Sequence, residues 1–432
     1  MPHLQTALTD IHQAIDNHWE EQLDFLKEIG RFPSTLGNEQ PLQYYIADYL
    51  KNTLDMEVDR FTPDVKKLSS HPGFSIPEHP YDGREVVAAV SKKHGSSGKS
   101  LLFQSHIDVV PPGSLRFWST NPWDPVQRGN KLYGRGMQDM KSGASAMIFA
   151  YRAIREAGYE PDAPFMLQTV IEEECTGNGA LAALDRGWTS DAVLIPEPFG
   201  MKASTSQVGV VWFRITVLGA GAHTERASEA VNAIEKSYKV IEALKSYEKM
   251  INSRERPEAY KHHPHPLNIN IGTIQSGDWP SSVPAEAVIE GRAGLFPGQD
   301  PSEIKEELKA WVLEHVKDDE WLASHPPDIY FFGFHAEGAA VEEDSLMMQT
   351  LGRAHDTIHE EALSFQPITA TTDTRFYTLY YDTPATCYGP VGGNMHGGDE
   401  WVDLESVKQV TKVYAAFLAD WCGLKKREGD GS

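Results

Sequence analysis

The sequence predicts an α/β domain interrupted by an inserted ferredoxin-like α+β unit, and three observations carry that reading. Strand-like and helix-like stretches alternate through roughly the first two hundred residues, which favours a sheet with covered faces. Between about residues 206 and 335 the order becomes β-α-β-β-α-β, a self-contained ferredoxin-like arrangement. The remaining residues return to mixed α/β and close on a helix.

Taken in order, the chain opens with Leu4, Leu8, Ile11, Ile15, Trp19, Leu23 and Leu26 at helical spacing, the pattern of an amphipathic helix. The stretch from Pro63 to Tyr81 is rich in Pro, His and Ser and reads as a surface loop insertion. Glu85–Val90 and Ser100–Ser105 read as short strands, and Lys141–Ala157 as a helix. Phe165–Ile171 reads as a strand, Ala180–Asp185 as part of a helix, and Ala192–Ile195 as a further strand. The inserted unit begins with the β-like run Val208–Leu218 and a helical stretch near Glu229–Met250. Strands at Leu267–Ile274 and Ala287–Leu295, a helix over Pro301–Val316 and a strand at Asp328–Phe332 complete it. The final helix is expected over Leu404–Trp421, and no internal repeat is present.

A chain of 432 residues with 40% hydrophobic content is enough for two domains. Its 62 acidic against 39 basic residues, a net charge of −23, argue against a nucleic-acid partner, which demands basic patches. The three cysteines, Cys175, Cys387 and Cys422, are odd in number and far apart, so neither a disulfide framework nor a thiolate metal site is expected. A reducing cytoplasm is the default location, with no signal segment and no apolar run long enough to span a membrane.

Five segments carry the residues that do chemistry. His106 and Asp108 stand two apart at the end of an apolar strand, on the same side of an extended backbone. Sheet ends of this kind collect ligands in α/β proteins, although a lone histidine there is more often structural. Asp139 follows Gly134-Arg135-Gly136 and precedes a helix; taken singly, it reads as an N-cap. Glu172, Glu173 and Glu174 are consecutive at the mouth of a buried strand, where they repel one another unless cations neutralise them. Glu197 ends another apolar run, between Pro196 and Pro198, and His396 lies in a glycine-rich loop followed by Asp399 and Glu400. Together the segments assemble imidazoles and carboxylates without thiolate, a donor set that suits zinc, manganese or cobalt in a hydrolytic site.

In the order and spacing of these segments the sequence resembles the two-zinc hydrolases that include acetylornithine deacetylase, succinyl-diaminopimelate desuccinylase, aminoacylase and carboxypeptidase G. The resemblance runs from Arg31-Phe32-Pro33-Ser34 to Trp401-Val402. It implies a zinc-peptidase-like catalytic domain made of residues 1–205 and 336–432, with residues 206–335 as a lid and dimerisation domain. It implies two divalent metal ions, Zn2+ first and Co2+ or Mn2+ otherwise. His106 and Glu197 would bind one and Glu174 and His396 the other, with Asp139 bridging both. Asp108 would hold the far side of His106. Glu173 would act as base, because Gly177 and Gly179 follow it at the family's spacing, leaving Glu172 where the family usually has Asp. His223, in Gly221-Ala222-His223, would reach the partner subunit's site in a homodimer and stabilise the oxyanion there.

Two departures bear on the substrate. The family's lid arginine, three residues before the Pro-Gly turn, is replaced here by Gly294, with Arg292 two positions earlier on the same face of the strand. A lid Asn near the Val-Pro is replaced by Ser281-Ser282. Asp373 and Arg375 are further expected substrate contacts. The implied reaction is hydrolysis of a small N-acyl amino acid or related N-acyl amine. A dipeptidase or carboxypeptidase acting on a dipeptide-like substrate is the alternative within the same chemistry, and a catalytically inactive binding homologue the alternative outside it.

Overall fold

The computed structural model describes residues 2–92 and 94–427. Its main sheet has six strands in the order Met56–Phe61, Val86–Ser91, Phe165–Val170, Leu101–His106, Val193–Ile195 and Ala385–Cys387. The last four run parallel, and the first two pair antiparallel at one edge. Leu101–His106 and Phe165–Val170 are buried along their whole length, so both faces of the sheet are covered, as near-continuous apolar strands require. Helices Ser142–Glu156 and Leu404–Cys422 pack on each other and on Leu101–His106.

The expected opening helix is two helices, Pro2–Asn17 and Trp19–Gly30. The break at His18, held between Glu21 and Glu156 at 2.8 and 2.9 Å, re-aims the second half so that Leu23, Leu26 and Ile29 are buried.

The stretch from Pro63 to Tyr81 is not a surface insertion throughout. Ser75 is fully buried, donating its N–H to Asn178 Oδ1 at 3.1 Å and accepting from Asn178 Nδ2 at 2.7 Å. Tyr81 is buried as well. Composition misleads here because the burying partners come from about a hundred residues downstream.

The second sheet is antiparallel, in the order Ile269–Ser276, Glu286–Leu295, Gly209–Leu218 and Asp328–Ala336. With helices Ala233–Asn252 and Pro301–Val316 it has the β-α-β-β-α-β order read from the sequence and a separate apolar core that includes Phe213, Ile215, Leu244, Ile289 and Leu308. Its register with Asp328–Ala336 is interrupted between Val211 and Trp212. There Gly333, at φ +53°, donates its N–H to Ile76 O at 3.1 Å, which ties this sheet to the 63–81 stretch. Among the described residues no helix is long and apolar enough to cross a membrane.

Candidate metal centre

The parallel strands deliver their loops to one edge of the main sheet. His106 is the last residue of its strand; Glu173 and Glu174 follow Phe165–Val170; Glu197 lies just past Val193–Ile195; His396 comes from the loop after Ala385–Cys387. This is the carboxyl end of the sheet, where strand-to-helix loops converge. Asp139 arrives from the turn before Ser142–Glu156. Its backbone is extended (φ −112°, ψ 98°), but Lys141 immediately precedes the helix, so Asp139 is not the N-cap.

Asp139 stands between the two imidazoles. Its Oδ1 is 3.1 Å from His106 Nε2 and its Oδ2 is 3.2 Å from His396 Nε2. Glu174 Oε1 lies 3.1 Å from His396 Nε2. Glu197 Oε1 and Glu173 Oε2 lie 3.6 and 3.9 Å from His106 Nε2. His106, Asp139, Glu173 and Glu197 are buried, whereas His396 is exposed and marks the open side.

The electrostatics are those of a crowded anionic pocket. Burial pushes the Glu173 and Glu197 carboxyls well above the usual range, and neighbouring carboxylates add to it. For Asp139 burial acts the same way, but the two imidazoles outweigh it and hold the carboxyl below its ordinary value. Burial opposes protonation of His106, yet Asp139, Glu173 and Glu197 raise it; His396 is pushed up to about 11, chiefly by Glu174.

This donor set fits a pair of divalent cations. His106, Glu173 and Glu197 have donor atoms within 4.8 Å of one another, as do His106, Asp139 and Glu174. Asp139 turns one oxygen to each histidine, and every donor is nitrogen or oxygen.

The expected roles of Asp108 and Arg375 need correction. His106 Nδ1 is 2.9 Å from the backbone carbonyl of Asp108, and the Asp108 carboxylate is 3.8 Å away. That carboxylate instead accepts the N–H of Glu173 at 3.3 Å and of Glu174 at 3.1 Å. Glu172 takes no part in the cation cluster. Its φ of +63° turns it away, onto Arg84 Nη1 at 2.7 Å, Thr176 Oγ1 at 2.8 Å and the Tyr81 hydroxyl. An arginine, not a metal, neutralises it. Arg375, expected at the substrate, is fully buried and donates to Thr176 O at 3.0 Å, behind the Glu173–Thr176 loop.

The other expected residues divide. Asp373 is buried beside the cluster and accepts from Gln104 Nε2 at 2.8 Å. Arg292, on the second sheet, has a buried, unpartnered Nε and feels the charges of Glu174 and Glu173. His223 is exposed, and its Nδ1 accepts the N–H of Glu225 at 3.2 Å; none of its hydrogen bonds among the described residues is to the cluster. Two supporting groups escaped sequence reasoning. Glu400 accepts the N–H groups of Gly136, Gln138 and Asp139 at 3.0, 2.9 and 3.1 Å and pairs with Arg135, which fixes the Asp139 turn. Arg84 joins Glu172 to Glu39, at 2.5 Å. The position of Glu400 just after His396 is the only sequence signal for either.

Residues 102–420 match the Peptidase family M20/M25/M40. The chain belongs to that family. The M20 chain is therefore a metal-dependent hydrolase of amide bonds. It is 25% identical to an N-formyl-4-amino-5-aminomethyl-2-methylpyrimidine deformylase of Bacillus subtilis, covering 98% of this chain and 100% of that one. It is 25% identical to a succinyl-diaminopimelate desuccinylase of Variovorax paradoxus, over 74% of this chain and 81% of the relative. In fold it is similar to human carnosine dipeptidase 1, with a TM-score of 0.74 at 16% identity, covering 96% of this chain and 99% of that one.

Proposed function

We propose that this M20 hydrolase removes a small acyl group from an N-acyl amine, with Glu173 as the group that moves the proton. The observation that carries the reading is the placement of Glu173. It is buried at the cluster, burial raises its carboxyl well above the ordinary carboxylate range, as suits a group that exchanges protons, and its N–H is anchored by Asp108. His106, Asp139, Glu174, Glu197 and His396 would hold the divalent cations, Zn2+ first among them, which when bound would lower the pKa of water from 15.7 toward about 7. Glu173 takes a proton from water and returns it to the departing nitrogen as the amide C–N bond breaks and a C–O bond forms.

Full-length likeness to deformylases supports an N-acyl amine over a peptide, since the fold shared with a dipeptidase at 16% identity speaks only for architecture. Residues 206–335 act as lid and dimerisation domain in this reading. The outer edge of Ile269–Ser276 carries no partner strand among the described residues and offers a pairing edge to a second copy. His223 then completes the partner's site. Three buried, unpaired cysteines agree with a cytoplasmic location.

The test is turnover of metal-loaded protein on N-formyl and N-acetyl amines, N-acyl amino acids and unblocked dipeptides, with Glu173→Gln alongside. Acyl amines should be cleaved, and Glu173→Gln should lose about 10²–10⁴-fold in rate while keeping its metal. Cleavage of dipeptides alone would move the enzyme to the dipeptidases, and no turnover at all would favour a binding homologue.

A further inference from the structure

The face of the second sheet that turns away from its helices carries a row of side chains across four strands. Asn270 pairs with Arg292, Arg292 with Trp212, and Trp212 with Phe332. These residues, with Glu78 and Glu290, line a cavity of about 200 Å³, smaller than the pockets that hold drug-sized ligands. The Trp212 and Phe332 rings meet at 5.6 Å and 67°, an edge-to-face pair that makes a rigid aromatic wall. Opposite, Gly272 contributes no side chain, and a Cβ there would meet nothing closer than 3.8 Å.

The charges in the cavity are settled except for one. Glu78 and Glu290 are both bound by Arg214, at 2.8 and 2.6 Å, and Arg214 itself lies over the Phe332 ring at 4.5 Å. Arg292 Nε is buried and no described residue accepts from it, which costs free energy unless a ligand does. Arg292 also links the cavity to the chemistry, because it lines the one and interacts with Glu174 and Glu173 of the other. Gly333 brings the wall to the same place: a Cβ on it would meet Trp212 at 2.6 Å and the Cys175 carbonyl, next to Glu174, at 3.2 Å.

We propose that this cavity is the subsite for the amine half of the substrate, and that it takes a flat heteroaromatic ring against Trp212 with a ring acceptor on Arg292 Nε. The assignment rests on the acyl-amine reading, in which Glu173 returns its proton to the departing nitrogen, so the amine half lies on the Glu173 side, where Gly333 sets the Trp212 wall beside the Cys175 carbonyl. Flatness is selected by the aromatic wall, and the acceptor by the unsatisfied donor.

The experiment compares three formamides on metal-loaded enzyme, those of pyridylmethylamine, benzylamine and cyclohexylmethylamine. The benzyl compound should exceed the cyclohexylmethyl one in kcat/KM by about fivefold, the worth of an aromatic contact. The pyridyl compound should exceed the benzyl one by about tenfold, the worth of a hydrogen bond to a charged donor. Trp212→Leu should collapse the first ratio and Arg292→Met the second. Gly272→Leu, which fills the cavity without removing a core contact, should lower the aromatic substrates more than the aliphatic one, with folding checked by thermal melting. Ratios near one in the wild type, or unchanged in folded Trp212→Leu and Gly272→Leu, overturn the subsite and leave the acyl-amine reading intact. If no formamide is cleaved, that reading fails, and calorimetry with free pyridylmethylamine decides the subsite separately. Binding that Gly272→Leu abolishes upholds it, and absence of binding overturns it.

Discussion

The carboxylate of Asp108 accepts the backbone N–H of Glu174 at 3.1 Å, two residues after His106 leaves its strand. One side chain thus ties the first histidine's loop to the glutamate loop. Asp108→Ala orphans the buried N–H of Glu173, at a cost of about 1–3 kcal/mol, and the part-buried N–H of Glu174 at less. We expect a lower thermal midpoint and a fall in kcat of about 10–100-fold, the usual effect of losing an outer support of a metal site. Asp108→Asn, which keeps one acceptor oxygen, should recover part of both. Wild-type kcat in Asp108→Ala would mean that the glutamate turn holds its own shape.

Arg84 sits between Glu39 and Glu172 in a nearly dry environment, with side-chain exposures of 6, 0 and 1%. Removing the cation strands two carboxylates. Arg84→Met should therefore destabilise the fold by about 3–5 kcal/mol, read by urea denaturation. Because Glu172 starts the turn that presents Glu173, turnover should fall as well. A loss below about 1 kcal/mol would show that water reaches the pair.

His223→Ala should leave metal content and melting temperature unchanged while kcat falls about 10²–10³-fold, the worth of one oxyanion donor. A mixing experiment tests its origin. Equal amounts of inactive Glu173→Gln and His223→Ala subunits, unfolded and refolded together, should recover about a quarter of wild-type activity, because half the dimers are mixed and each has one intact site. Recovery of nothing would place His223 outside the partner's site.

The metal-free protein should lose stability as pH rises. Burial lifts Asp108 and Asp373 from the ordinary 3.8 to about 7, against the lowering pull of His106 on both and of Arg375 on Asp373. A carboxyl whose folded pKa is raised binds more protons folded than unfolded in that window, so stability is highest below about pH 4 for these groups and declines through pH 7. Raised Glu173, Glu197 and His106 act in the same direction. In chelator the melting temperature should fall between pH 5 and 8, and divalent cation should restore more of it at pH 8. A flat or rising profile in chelator would contradict the crowded-anion description.

Most elements were legible because period and composition are local. Leu101–His106 and Phe165–Val170 announced themselves as apolar strands, and the order of elements from Gly209 to Ala336 followed from runs whose partners lie in the same unit. The opening helix was misread because an apolar stripe at i+3 and i+4 spacing looks continuous whether or not His18 breaks it. The stretch before Tyr81 was misread because Ser75 and Tyr81 are buried by Asn178 and Glu172, which no local pattern reports.

The sequence by itself determined which residues form the centre: imidazoles and carboxylates at strand ends are a chemical statement, and their order identifies the family. Only the tertiary structure decided how each carboxylate is held. Glu172, Glu173 and Glu174 are identical in chemistry, and they are told apart by a φ of +63° and by Arg84, which draws the first away while Asp108 fixes the other two. The same holds for the row of Asn270, Arg292, Trp212 and Phe332. Those four positions are scattered along the chain and become one surface only because antiparallel strands set them side by side.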